Sequence, residues 1–303
     1  MKRLAVTILC WLALGHTLYA QLDKARYMPL HRTASGHYAF STLLNDKVMS
    51  QVMIESGIYA AIIDSAFFFR HQKELGLEAL PNDKSKEMNL GGKVYRITHR
   101  IKGRLPMGNT VYKGEISVLA DYVNNTPLTL PIQNLHHRND WSSRIVMLDL
   151  DGGKLQMLTR NELRQIQGRR YKMNRNTYGR MPAIRESIVF GTTEGETVLS
   201  GNFNIDLGNP MLLYLREQST KVTSLLNEEQ AMSPTSGTTR SGHSIRALCP
   251  QRCSLLGYTF ETPIICITDK LPRFTTEGLI GLLFFKGHIT VFDFENNYLY
   301  MQE

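Results

Sequence analysis

Cysteine, tryptophan and long apolar runs are all scarce in this chain, and each scarcity excludes something. Four cysteines and two tryptophans occur in 303 residues. Cys10 falls inside the apolar beginning, leaving Cys249, Cys253 and Cys266. Three thiols cannot build the disulfide framework of a small secreted module. Cys249-Pro-Gln-Arg-Cys253 has the spacing to close one small loop, and Cys266 in an apolar strand reads as a small buried residue. Zinc would need further ligands that no spacing supplies. His136 and His137, adjacent on a strand, point to opposite faces and lack a third ligand. Neither a metal nor an organic cofactor is expected. Without an aromatic cluster there is no sugar-binding platform. Without an aromatic-rich or zinc module beside the positive charge, nucleic acid is not an expected partner.

One apolar run is long enough to discuss. Leu4 to Leu14 follows Lys2 and Arg3, and Leu18-Tyr19-Ala20 precedes Gln21. That is the pattern of a signal peptide over residues 1–20, too short to span a membrane. No later segment is long and apolar enough to cross. The expectation is a soluble exported protein, periplasmic or extracellular, without a transmembrane segment. Positive charge gathers in Arg164, Arg169, Arg170, Lys172, Arg175 and Arg180. It reads as a solvated linker.

What the chain does contain is the same pattern twice. Leu279-Ile280-Gly281 opens a final stretch that continues through Leu282 to Phe285. It ends in a hairpin of Ile289–Phe294 and Tyr298–Met301 around Glu295-Asn296-Asn297. A degraded copy, Trp141 to Leu158, turns at Asp151-Gly152-Gly153 and puts Asp149 where the later copy has Asp293. Upstream, each half gives a strand, a polar turn and a second strand. Those second strands run into Ile54-Glu55-Ser56-Gly57 and Ile205-Asp206-Leu207-Gly208. From Glu55 to Asp149 is 94 residues and from Asp206 to Asp293 is 87. Ordered repeats at similar spacing mean an internal duplication.

Short strands between Gly, Asn and Asp turns indicate an all-β architecture. Helices are expected only over Ser65 to Leu75, capped by Asp64, and Thr220 to Met232. The expected layout is a first β lobe over 21–160, a connection over 161–179 and a second β lobe over 180–303, with a cleft between lobes. Ser233 to Gly242 reads as a mobile surface loop, and Lys84 to Gly92 as a polar loop.

A strand ending in acid-x-Gly, followed by an apolar-apolar-Gly segment and a hairpin, all in duplicate, resembles the pepsin/retropepsin superfamily of aspartic proteases. The resemblance implies a catalytic pair of Glu55 and Asp206. Gly57 and Gly208 would support it, Ser56 would supply a hydroxyl tying the loops, and Leu279, Ile280 and Gly281 would back the second site. A flap would fall near Lys93-Val94-Tyr95. Two carboxylates within about 3 Å share a proton, so one acts as base on a water while the other donates to the scissile carbonyl. The implied partner is a peptide or protein.

Three positions depart from the family pattern. Glu55 stands where Asp is usual. Leu207 stands where a hydroxyl is usual. The first-lobe apolar-apolar-Gly segment is expected at Leu135-His136-His137, where glycine is missing. Two readings remain: a peptide-bond hydrolase using Glu55 and Asp206, and a protease-like fold that binds peptide or protein without cutting it. A glycosidase would need the carboxylates about 5 Å apart or more.

Overall fold

The computed structural model describes residues 27–81, 87–90, 93–122, 126–175, 181–192, 195–222, 235–238, 244–269, 271 and 277–302. The expected signal peptide at 1–20 lies outside them. The first lobe runs through β1 (Met28–Arg32), β2 (Tyr38–Leu44), β3 (Val48–Glu55) and β4 (Ala61–Asp64) to helix α1 (Ser65–Leu75). It continues with β5 (Leu80–Pro81), β6 (Glu87–Leu90), β7 (Lys93–Met107), β8 (Thr110–Leu119), β9 (Leu128–Pro131) and β10 (Leu135–His137). The hairpin of β11 (Ile145–Asp149) and β12 (Lys154–Leu158) ends it. After the short helix α2 (Arg160–Leu163) come β13 (Arg169–Arg175), β14 (Pro182–Thr192), β15 (Gly195–Asp206) and β16 (Leu213–Arg216). Then follow β17 (Thr235–Thr238), β18 (Ser244–Leu248), β19 (Arg252–Leu255), β20 (Tyr258–Glu261) and β21 (Ile265–Thr268). The chain finishes with β22 (Gly278–Gly281), β23 (Ile289–Asp293) and β24 (Tyr298–Gln302).

Both lobes build the same knot of strands around the acid. In the first, β3 and β9 run parallel with Glu55 opposite Pro131, and β4 inserts antiparallel to β9 and parallel to β8. In the second, β15 and β22 run parallel with Asp206 opposite Gly281, while β16 lies antiparallel to β22 and parallel to β21. The interior strands are apolar without alternation, as expected when both faces are covered. Ala61, Ile62 and Ile63 of β4 and all four residues of β21 are buried.

The two hairpins meet. β11 pairs antiparallel with β23, Met147 opposite Val291, and β12 and β24 flank them. β1 and β13 complete a six-stranded sheet shared by the lobes. Asp293 accepts from the backbone N–H groups of Glu295 and Asn296 (both 3.0 Å), and Asp149 from that of Gly152 (2.6 Å). Both aspartates therefore shape turns.

Several expectations change here. The basic stretch is not simply solvated linker: Arg169–Lys172 forms the edge of the shared sheet, and Met173–Arg175 pairs with β14. The Arg170 and Lys172 cations lie over the Tyr298 ring, 4.5 and 4.4 Å from its centroid, and Arg169 lies over Tyr258. Residues 235–238, expected in a loop, pair with β18, and residues 87–90 pair with β7. Backbone pairing decided both where composition pointed to loop. The loop closure considered for Cys249 and Cys253 is not formed. All three cysteines are free, Cys253 facing the core with its thiol pushed up to about 12 by burial. Helix α1 has the expected bounds. Asp64 accepts from the Phe67 N–H at 2.8 Å, and Gly76 ends the helix at φ 63°. Of the helix expected from Thr220, residues 220–222 are helical and 223–232 lie outside the described residues.

Candidate active site

The strand knots bring Glu55 and Asp206 together at the ends of β3 and β15. A hydrogen bond joins the two carboxyl groups. Glu55 Oε1 accepts three backbone N–H groups: Ser56 (2.8 Å), Gly57 (2.8 Å) and, from the other lobe, Gly208 (2.9 Å). The Gly208 N–H is shared with Asp206 Oδ1 at 3.1 Å. The Asp206 carboxyl is held well above the ordinary carboxylate value, first by desolvation, then by the charge of Glu55 and the hydrogen bond to it. The Asp206 carboxyl therefore holds a proton more tightly than an ordinary carboxylic acid does.

The longer acid fits because of the glycines. A methyl group on Gly208 would overlap the Glu55 carboxylate, so the extra methylene occupies space that glycine leaves open. On Gly57 a methyl group would lie 2.9 Å from Asp206 Oδ1 and 2.9 Å from Met181 Cε, a milder conflict. Ser56 is fully buried and ties the lobes. Its Oγ donates to the Ile205 carbonyl (2.8 Å) and accepts from the Leu207 N–H (2.9 Å). Leu207 returns no hydroxyl and is buried in the main core instead.

Leu279 and Ile280 lie behind the second acid, opposite Asn204 and Ile205. Gly281 is required there because backbone of residues 209–211 passes against its Cα. The first-lobe counterpart is not Leu135-His136-His137, which pairs with β8 further on. It is Thr129-Leu130-Pro131, with Pro131 where the second lobe has glycine. Proline offers no N–H, and side-chain amides take over. Gln133 Nε2 donates to the carbonyls of Ile58 (2.7 Å) and Ser56 (3.3 Å), and Asn134 Nδ2 to that of Tyr59 (3.1 Å). The displaced histidines serve local structure: His136 Nδ1 contacts the Trp141 carbonyl and His137 Nδ1 accepts from the Asn139 N–H.

No motif along the chain marks His37. Its Nε2 lies 2.8 Å from the Gly208 carbonyl, which only accepts, so Nε2 carries the proton. Ser35 Oγ lies 2.7 Å from Nδ1 and completes a relay from the first lobe onto the second acid loop. Nor does any motif mark Gln133. Lys93-Val94-Tyr95 does fall in a hairpin, β6 with β7. Tyr95 turns into a small apolar cluster with Ile62, Leu119 and Tyr122, on which Ile58 of the first acid loop packs. Among the described residues no three His, Cys, Asp or Glu gather to hold a metal.

The solved aspartic proteinase from Irpex lacteus superposes on this chain with a TM-score of 0.55. The match covers 91% of this chain and 96% of that one, at 10% sequence identity. The fold is pepsin-like. No protein-family model matches the sequence, and no curated protein does. The pepsin-like likeness thus resides in strand order and not in shared residues. This pepsin-like fold carries a mixed Glu/Asp pair, one tying hydroxyl and a proline-backed first loop.

Proposed function

We propose that the protein is an exported, periplasmic or extracellular, aspartic-type peptide hydrolase that uses Glu55 and Asp206 without metal or organic cofactor. The observation that carries the reading is the meeting of the two carboxyl groups at the Gly208 N–H, which lies 2.9 Å from Glu55 Oε1 and 3.1 Å from Asp206 Oδ1. In this reading Glu55 takes a proton from a water held between the acids while Asp206 gives its proton to the scissile carbonyl oxygen. The water oxygen bonds to the carbonyl carbon, forming a tetrahedral diol. Collapse breaks the C–N bond, with Glu55 returning its proton to the leaving amine and Asp206 recovering one from the diol. The lobes, 21–160 and 180–303, would enclose an extended peptide, one strand edge supplying backbone pairing.

One observation favours a second reading, in which peptide is bound and not cut. Three backbone N–H donors converge on Glu55 Oε1, which commits that oxygen to holding the loops. A diverse peptide library offered to the purified protein from about pH 3 to pH 8 separates the two. Cleavage that disappears in both Glu55→Gln and Asp206→Asn supports the hydrolase. Peptide retention without cleavage by folded protein supports the binder.

A further inference from the structure

On the outer side of the first acid loop lies an open groove of about 740 Å³, lined by Tyr59, Lys102, Arg104, Lys113, Glu115 and Asn134 among others. It adjoins the candidate active site through the chain. Tyr59 is four residues beyond Glu55, and Asn134 holds its carbonyl. Cations outnumber carboxylates in the lining, three to one, with Glu115 opposite Lys102 on β8. Lys102 and Arg104 project from the same face of β7, and Lys113 sits directly opposite Arg104 on β8. Like charges opposite each other on paired strands repel. The lining carboxylate, Glu115, is engaged by Arg100. Among the described residues no carboxylate lies within salt-bridge reach of Lys102 or Lys113. Arg104 is steadied over the exposed ring of Trp141, 4.3 Å from its centroid, and Tyr59 is also exposed.

We infer that this groove is a subsite for an acidic peptide segment, two or more Asp or Glu residues on the part of a substrate or partner protein that leaves the cleft beside Tyr59. Lys102 and Arg104 are two strand positions apart, roughly 7 Å, which is also the spacing of alternate side chains in an extended peptide. Cations strung along a strand match a row of carboxylates. A single phosphate would call for donors converging on one point. The two aromatic rings give apolar surface for the peptide between its charges. The inference rests on the reading that the cleft takes a peptide, and it holds whether or not that peptide is cut.

The test is binding of fluorescein-labelled hexaglutamate to the purified protein at low salt, read by anisotropy, beside hexaglutamine and a single-stranded DNA hexamer. Hexaglutamate should bind, hexaglutamine should not, and Lys102→Gln with Lys113→Gln should weaken binding at least tenfold. A control pair of equal charge, Lys47→Gln with Lys286→Gln, both exposed and outside the groove, should leave binding within about twofold. Asp206→Asn should leave it unchanged. Absence of hexaglutamate binding, or equal loss in both double variants, overturns the subsite. DNA binding as tightly through the same lysines overturns its assignment to peptide. Hexaglutamate bound through Lys102 and Lys113 by protein that cleaves no peptide leaves the subsite standing and removes only turnover.

Discussion

The two acid-bearing loops share one topology and are held by different chemistry. In the second lobe the backbone ties itself: Gly281 N–H to the Leu212 carbonyl (2.9 Å) and Leu282 N–H to that of Asn209 (2.7 Å). In the first, Pro131 cannot donate, and the Gln133 and Asn134 side chains hold the carbonyls of Ser56, Ile58 and Tyr59. The second loop is also one residue longer before its next strand. The single hydroxyl, Ser56, comes from the first lobe, and so does His37, which reaches Gly208 from the other side. The second lobe contributes the acid whose carboxyl is pushed up by burial, and the first contributes most of the restraint that crosses between the loops. Topology can stay symmetric while the roles of equivalent positions separate.

The largest expected effect tests the acids themselves. Glu55→Gln and Asp206→Asn should each cut kcat by about 10²–10⁴ while leaving KM nearly unchanged, since general acid–base groups contribute on that scale. Steady-state kinetics on one cleaved peptide decide it. A variant retaining near-normal kcat removes that residue from the mechanism.

Next comes the restraint. Ser56→Ala orphans a buried carbonyl and a buried N–H at once, and urea unfolding should show a loss of about 2–4 kcal/mol. The glycines sharpen the contrast between lobes. Gly208→Ala should abolish cleavage because the methyl group displaces Glu55, and Gly57→Ala should be milder. Glu55→Asp added to Gly208→Ala should restore part of the activity by withdrawing the acid one methylene. Absence of rescue would mean that Gly208 acts through its backbone alone.

Smaller still is the difference in how the loops are backed. Gln133→Leu should cost about 1–2 kcal/mol, while Leu283→Gln at the matching place should stay within about 0.5 kcal/mol, because the second loop already has backbone ties.

The last contrast is in pH. With its folded value raised above the ordinary 3.8, Asp206 keeps a proton that the unfolded chain has released. That stabilisation is complete below 3.8 and is lost as pH rises through the folded value. Wild type should therefore lose Tm relative to Asp206→Asn across that window and not below it. Parallel Tm curves at every pH would remove the proton from Asp206.

Much of this was legible in residue order. Asp64 and Gly76 bracket a helix because cap and terminator chemistry is local. Glu55 and Asp206 stand out because acid-x-Gly closes a strand in both halves. The first backing segment was misplaced because it carries proline instead of the glycine that marks its partner. Composition made residues 169–175 look like linker, since Tyr298, which receives the Arg170 and Lys172 cations, lies more than a hundred residues away. His37 has no motif around it, and its role exists only once β15 arrives.

Periodicity, turns and repeats are properties of neighbours along the chain, and they are enough to specify a doubled all-β protein with one acid per half. It takes the folded arrangement to bring the two acids together, to let Gly208 make room for the longer one and to let Gln133 stand in for the N–H that Pro131 lacks. Those outcomes depend on distances of about 3 Å between groups up to 153 positions apart, which folding sets and chain order does not encode locally.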